Sequence, residues 1–155
     1  MTAAYHFEIS SRLTAAADRV WQHATSPAGV NAEFSPLLRM TFPAGLSTLA
    51  SENVVLGQPV CRCWMLLFGV LPVDYDDLTL VEIEPGRRFL ERSELLTQKC
   101  WEHERIVEPV NGGCRLTDRV RFEPRVAFLG PLQRVIFRSV FRWRHWNLRR
   151  MHFEA

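Results

Sequence analysis

The last stretch of the chain, Pro131 to about Phe153, constrains what everything before it can do. At roughly 100° per residue, Leu132, Val135, Ile136, Ser139, Val140, Trp143, Trp146 and Asn147 fall on one arc of a helix. Arg134, Arg138, Arg142, His145 and Arg149 fall together on another. Gly130 followed by Pro131 suits a helix start, because the N–H that proline lacks would have no intrahelical partner at that position. A helix of ~22 residues at ~1.5 Å rise is ~33 Å long, enough to lie across a small sheet. What precedes it must therefore offer that sheet.

The upstream pattern does so. Tyr5–Arg12 alternates as a half-buried strand, with Tyr5, Phe7, Ile9 and Ser11 on one side. Thr14 is a fair N-cap for a helix over Ala15–His23 that buries Val20, Trp21 and Ala16 or Ala17. Ser26-Pro27 restarts a short helix to about Phe34, ended by Ser35-Pro36. Leu37–Phe42 is a short strand, and Pro43–Val54 a loop or weak edge strand. Strands are expected at Gln58–Phe68, Asp74–Glu84, Arg88–Leu96, Lys99–Val107 and Arg115–Phe122. Glu84-Pro85-Gly86 and Asn111-Gly112-Gly113 supply turn chemistry between them. One strand, two short helices, about six strands in meander and one long helix make an α+β chain. A lone meander leaves one face and its edges bare, and a terminal helix with a wide apolar arc covers that face. The expected architecture is a helix-grip fold, a curved antiparallel sheet of six or seven strands around the terminal helix.

At 155 residues the chain is the length of one domain, 1–155, burying roughly 70% of its unfolded surface. Five Trp and ten Phe suit an apolar interior. The N-terminus shows no basic flank with an apolar core, and the apolar run Trp64–Val73 is too short to span a bilayer, so a cytoplasmic protein is expected. Four cysteines without framework spacing fit reduced thiols there. Residues 115–155 carry ten Arg against three acids, so contact with membrane or RNA through Arg134, Arg138, Arg142 and Arg149 is an alternative to a merely solvated face, and DNA is not expected as a partner.

Particular stretches carry a resemblance. Ala16-Ala17-Asp18-Arg19-Val20-Trp21, Glu84-Pro85-Gly86-Arg87-Arg88-Phe89-Leu90-Glu91, Trp101-Glu102-His103-Glu104-Arg105 and Gly112-Gly113-Cys114-Arg115-Leu116-Thr117-Asp118 resemble the first helix, a turn-and-strand and the final hairpin of the START/Bet v 1-like superfamily. The resemblance covers nearly the whole chain. It implies the same helix-grip fold, and a function among lipid carriage, polyketide cyclisation or dehydration, and small-molecule reception.

Alternation in the last strands picks out a polar constellation. Cys114, Leu116, Asp118, Val120 and Phe122 share the apolar face, which takes Asp118 inward. Trp101, His103, Arg105 and Val107 face the same way, because the alternative would bury Glu102 and Glu104. Hairpin closure sets Asp118 opposite Arg105 or His103. Phe89, Glu91, Ser93 and Leu95 join them from the strand before. Glu91, Ser93, His103, Arg105 and Asp118 thus form a cluster that either satisfies itself or meets a ligand, Arg105 taking a carboxylate or carbonyl. If the chain is an enzyme of cyclase or dehydratase type, His103, Asp118 and Glu91 are its acid–base candidates. Trp101, Phe89, Ser139 and Trp143 complete the expected ligand site.

No cofactor motif occurs. Cys61-x-Cys63 lacks zinc spacing, His23, His145 and His152 lack metal spacing, and Asp74, Asp76 and Asp77 read as a solvated strand start. The leading expectation is a module that binds a hydrophobic or amphipathic small molecule between helix and sheet.

Overall fold

The computed structural model describes residues 3–49 and 54–151. The sheet has seven antiparallel strands: β1 (Tyr5–Leu13), β2 (Leu38–Met40), β3 (Pro59–Leu67), β4 (Leu71–Glu84), β5 (Arg88–Leu95), β6 (Gln98–Val110) and β7 (Gly113–Pro124). Their order across the sheet is β1-β7-β6-β5-β4-β3-β2, so the first and last strands pair and the rest follow as a meander. Register irregularities at Pro59/Cys61, Met65/Leu66, Leu80/Glu82 and Gln98/Cys100 add bends to the sheet's natural twist. The curved sheet and its terminal helix make the helix-grip fold expected above.

Two short helices, α1 (Ala17–Ala24) and α2 (Pro27–Phe34), follow β1. The α1 N-cap is Ala16 rather than Thr14, and its buried residues are Val20, Trp21 and Ala24. Ser26 caps α2 by accepting from the Gly29 backbone N–H. Strand β2 is shorter than expected, β4 starts earlier, and residues 43–49 and 54 carry no strand; 50–53 lie outside the described residues. Gly113 follows from a close approach: a Cβ there would stand 1.9 Å from the Leu13 carbonyl oxygen across the β1–β7 pair.

The long helix α3 (Gly130–Arg150) crosses the concave side. Its buried residues are Gly130, Phe141, Arg144, His145 and Leu148, with Phe137 partly buried against the aromatic cluster of Phe7, Trp101 and Phe122. This corrects the wheel. Leu132, Val135, Ile136 and Trp146, all on the expected inner arc, are 47–61% exposed, whereas His145 leaves the basic stripe for the interior. The wheel placed His145 outside; oppositely charged and hydrogen-bonding partners inside, for His145 and for Arg144, turned the helix. Burying Phe141 and Leu148 contributes on the order of 3–6 kcal/mol to holding it there. Among the described residues, no helix is long and apolar enough to cross a membrane.

Candidate functional site

Alternation along β5, β6 and β7 sends Glu91, Ser93, Trp101, His103, Arg105 and Asp118 inward, all under 10% exposed. The open register resolves to Arg105 opposite Asp118. Arg105 grips that carboxylate in a fork, Nε to Oδ1 at 2.7 Å and Nη2 to Oδ2 at 2.8 Å. Toward Glu33, Nη1 donates to Oε2 at 3.0 Å and Nη2 lies 2.8 Å from Oε1. Glu33, on α2 and fully buried, also accepts from Arg144 Nε of α3 at 3.2 Å. Asp118 takes two histidines as well, His103 Nε2 at 2.7 Å and His145 Nε2 at 2.7 Å, and His145 Nδ1 meets Ser11 Oγ at 2.7 Å. The network ties β1, β6, β7, α2 and α3 into one charged knot.

Its charges balance. Burial pushes the Asp118 carboxyl up, but the Arg105 guanidinium and His103 outweigh it and hold it well below the usual carboxylate range. Glu33 follows the same pattern, burial opposed by Arg105 and Arg144, with a lowered result. Burial pushes His103 below its ordinary value, only partly offset by Asp118, so its ring is neutral at neutral pH. With Asp118 ionised, Nε2 of that ring is the donor to it.

Beside the knot lies a cavity of about 450 Å³ between α3, α2 and the sheet. Leu38, Met40, Met65, Leu78, Phe89, Trp101, Phe137, Val140 and Phe141 make its apolar wall. Its polar lining includes Asp74, Asp76, Glu91, Thr97, His103, Gln133 and Arg144. Val73 and Ile136 both line the cavity and reach solvent, which places the mouth between the β3–β4 hairpin and the first half of α3. Among the described residues, no group of three or more His, Cys, Asp or Glu is arranged to hold a metal ion.

Asp74 and Asp76 are 9% and 6% exposed, not the solvated strand start expected. Only Asp77 turns outward, to Arg62 at 2.7 Å. Asp74 is satisfied by the Tyr75 and Thr97 backbone N–H groups and, at 2.6 Å, the Thr97 hydroxyl. Asp76 lies against Glu91, and its Oδ1 has no donor. Burial first, then mutual repulsion, pushes the Glu91 carboxyl well above its ordinary value, and burial raises Asp76 to about 6. The Ser93 hydroxyl donates to Glu91 Oε2 at 3.0 Å while accepting from the Thr79 backbone N–H.

The family described as "Domain of unknown function (DUF8410)" matches residues 11–153. The chain belongs to that family. No curated protein matches the sequence. Among solved structures, a Chromobacterium violaceum protein, CV1439, superposes with a TM-score of 0.74 at 12% identity, over 97% of this chain and 99% of its own. A START superfamily protein from Mycobacterium smegmatis gives 0.66 at 8% identity, over 93% and 94%. Ara h 8.0201 gives 0.58 at 11%, over 94% and 98%. At such identities the likeness is one of fold.

In this DUF8410 chain the expected site residues divide. Trp101, His103, Phe89 and Glu91 line the cavity. Arg105 and Asp118 sit behind the wall, bonded to each other, to Glu33 and to the two histidines, and neither lines the cavity, a correction to the expected carboxylate-binding role of Arg105. Ser93 is also behind the wall, bracing Glu91. Ser139 is exposed and donates to the Val135 carbonyl within the helix; Trp143 is turned to the α2 end, its Nε1 donating to the Ser35 carbonyl at 3.1 Å. Both left the site when α3 turned. Of the basic stripe, Arg138, Arg142 and Arg149 are exposed, and Arg134 donates to the His6 carbonyl. Glu33, Asp76, Arg144 and His145 were missed. Carrying the alternation of Leu78 and Leu80 back along β4 would have found Asp76; Glu33, Arg144 and His145 had no local signal.

Proposed function

We propose that this chain binds a hydrophobic or amphipathic small molecule in the cavity between α3 and the sheet. One observation carries the reading: an apolar hollow of about 450 Å³ with a mouth at the surface. Ligand sites run to roughly 300–1,000 Å³, and an apolar cavity of only ~150 Å³ already admits benzene. Left empty, so large a wall forfeits the dispersion contacts that close packing gives elsewhere. Water recovers few of them, because most of the lining offers it no partner. An apolar guest recovers them, and Glu91, His103 and Arg144 give its polar end something to meet. The helix-grip fold supports the reading, and so does the charged knot, whose Glu33, Arg105 and Asp118 satisfy one another behind the cavity wall.

The test is to purify the protein from its host under mild conditions and weigh it by native mass spectrometry before and after organic extraction. A discrete adduct, released into the solvent with a mainly hydrocarbon composition, is expected. A bare chain that also takes up no apolar dye would contradict the proposal.

A further inference from the structure

We infer that the ligand carries a protonated amine, held against the Asp76–Glu91 carboxyl pair on the β4–β5 wall of the cavity. The inference rests on the cavity-binding reading above and adds the charge of the guest. Among the described residues, buried acids outnumber buried guanidiniums: Glu33, Asp74, Asp76, Glu91 and Asp118 stand against Arg105 and Arg144. Both cations are spoken for, Arg105 by Asp118 and Glu33, and Arg144 by Glu33 with its guanidinium stacked over the Phe34 and Phe141 rings. Asp74 is saturated by donors from Tyr75 and Thr97. Asp76 is the exception. It is 6% exposed, lines the cavity, and keeps Oδ1 without a donor, beside a Glu91 that accepts from the Ser93 hydroxyl.

A buried carboxylate with one oxygen unpaired, on the wall of an apolar hollow, costs free energy that the chain relieves by keeping a proton on the pair. A guest ammonium does the same work better: it brings up to three donors and a full charge to two carboxylates, in a low-dielectric setting. A guest carboxylate meets repulsion on that wall, and a guest hydroxyl satisfies one oxygen without neutralising anything. Charge-assisted hydrogen bonds of this kind separate an amine from its alcohol analogue by ~10-fold to ~100-fold.

The test uses the full chain, a neutral apolar naphthalene dye and three competitors of equal length: octylamine, octanol and octanoic acid. Octylamine should displace the dye at least ~10-fold more tightly than octanol, with octanoic acid weakest. That amine-over-alcohol ratio should fall toward unity in Asp76→Asn and in Glu91→Gln, each checked for folding by circular dichroism. If one variant does not fold, the other and the wild-type ratio still decide. Equal displacement by all three, preference for the acid, or a ratio that survives in the folded variants would overturn the inference and leave cavity binding standing. A chain that binds neither dye nor competitor would overturn both.

Discussion

Asp118 and Arg105 face each other across the β6–β7 ladder, fully buried, joined by two hydrogen bonds of 2.7 and 2.8 Å. Two charges taken out of water are tolerable only as a pair with their remaining valences filled. Here His103, His145 and Glu33 fill them.

Asp118→Asn keeps the shape and removes the charge, leaving Arg105 buried with only Glu33, which Arg144 already shares. The expected loss is about 3–5 kcal/mol, as for breaking a buried pair. Urea unfolding measures it from the midpoint and slope. A loss below about 1 kcal/mol would mean the knot is not holding the fold.

Asp118 and Asp76 make opposite demands on pH. The folded Asp118 carboxyl lies well below its ordinary 3.8, so its contribution is present above that value and is lost as pH falls through the folded one. Asp76 is raised from 3.8 to about 6. Between those values the folded chain holds a proton the unfolded chain has released, and stability falls as pH rises. Asp76→Asn should therefore match wild type at the ordinary aspartate value and gain on it through the window. Above the folded value the gain should level off at on the order of 3 kcal/mol. Neutral His103, whose own shift works in the other direction, is common to both proteins and drops out of the difference, whereas Glu91, which Asp76 helps to raise, moves back toward its ordinary value in the variant and adds to the gain. Paired urea titrations across the window check this; a flat difference, or a variant weaker at neutral pH, would contradict it.

Gly113→Ala sets a methyl 1.9 Å from the Leu13 carbonyl oxygen, and backbone must move on one side of the β1–β7 pair. The cost should be ~2–3 kcal/mol, in line with other imposed backbone strain. Gly112→Ala tests the adjacent φ of +82° instead, where the only near atom is the far end of Arg12, so its cost should be smaller. Thermal unfolding of the two variants decides the order.

Alternation gave the inward faces of β1, β5, β6 and β7 correctly because a period of two leaves only two answers: β7 had an apolar majority on one side, and in β6 the other choice would have buried Glu102 and Glu104. Helix α3 was harder. Its wheel offers many rotations, and the choice fell to Arg144 and His145, whose partners Glu33, Asp118 and Ser11 lie 111, 27 and 134 residues away in sequence. Nothing local to α3 announces them, so Ser139 and Trp143 were drawn into a site that Phe137 and Phe141 occupy. Arg105 and Asp118 were legible as a buried pair, but whether such a pair faces a guest or another element depends on α2, and Glu33 supplied the answer.

If the hollow between α3 and the sheet takes an apolar guest, narrowing it should exclude that guest. Titration of a neutral apolar dye into wild type and Val140→Phe, where a larger ring projects from the cavity wall, tests it most directly. Saturable binding of one dye per chain is expected in wild type. In the variant, affinity should drop at least ~10-fold while stability rises by about 1 kcal/mol, since filling a void returns the free energy it cost. Equal dye affinity in the two proteins, or binding that never saturates, would contradict the account.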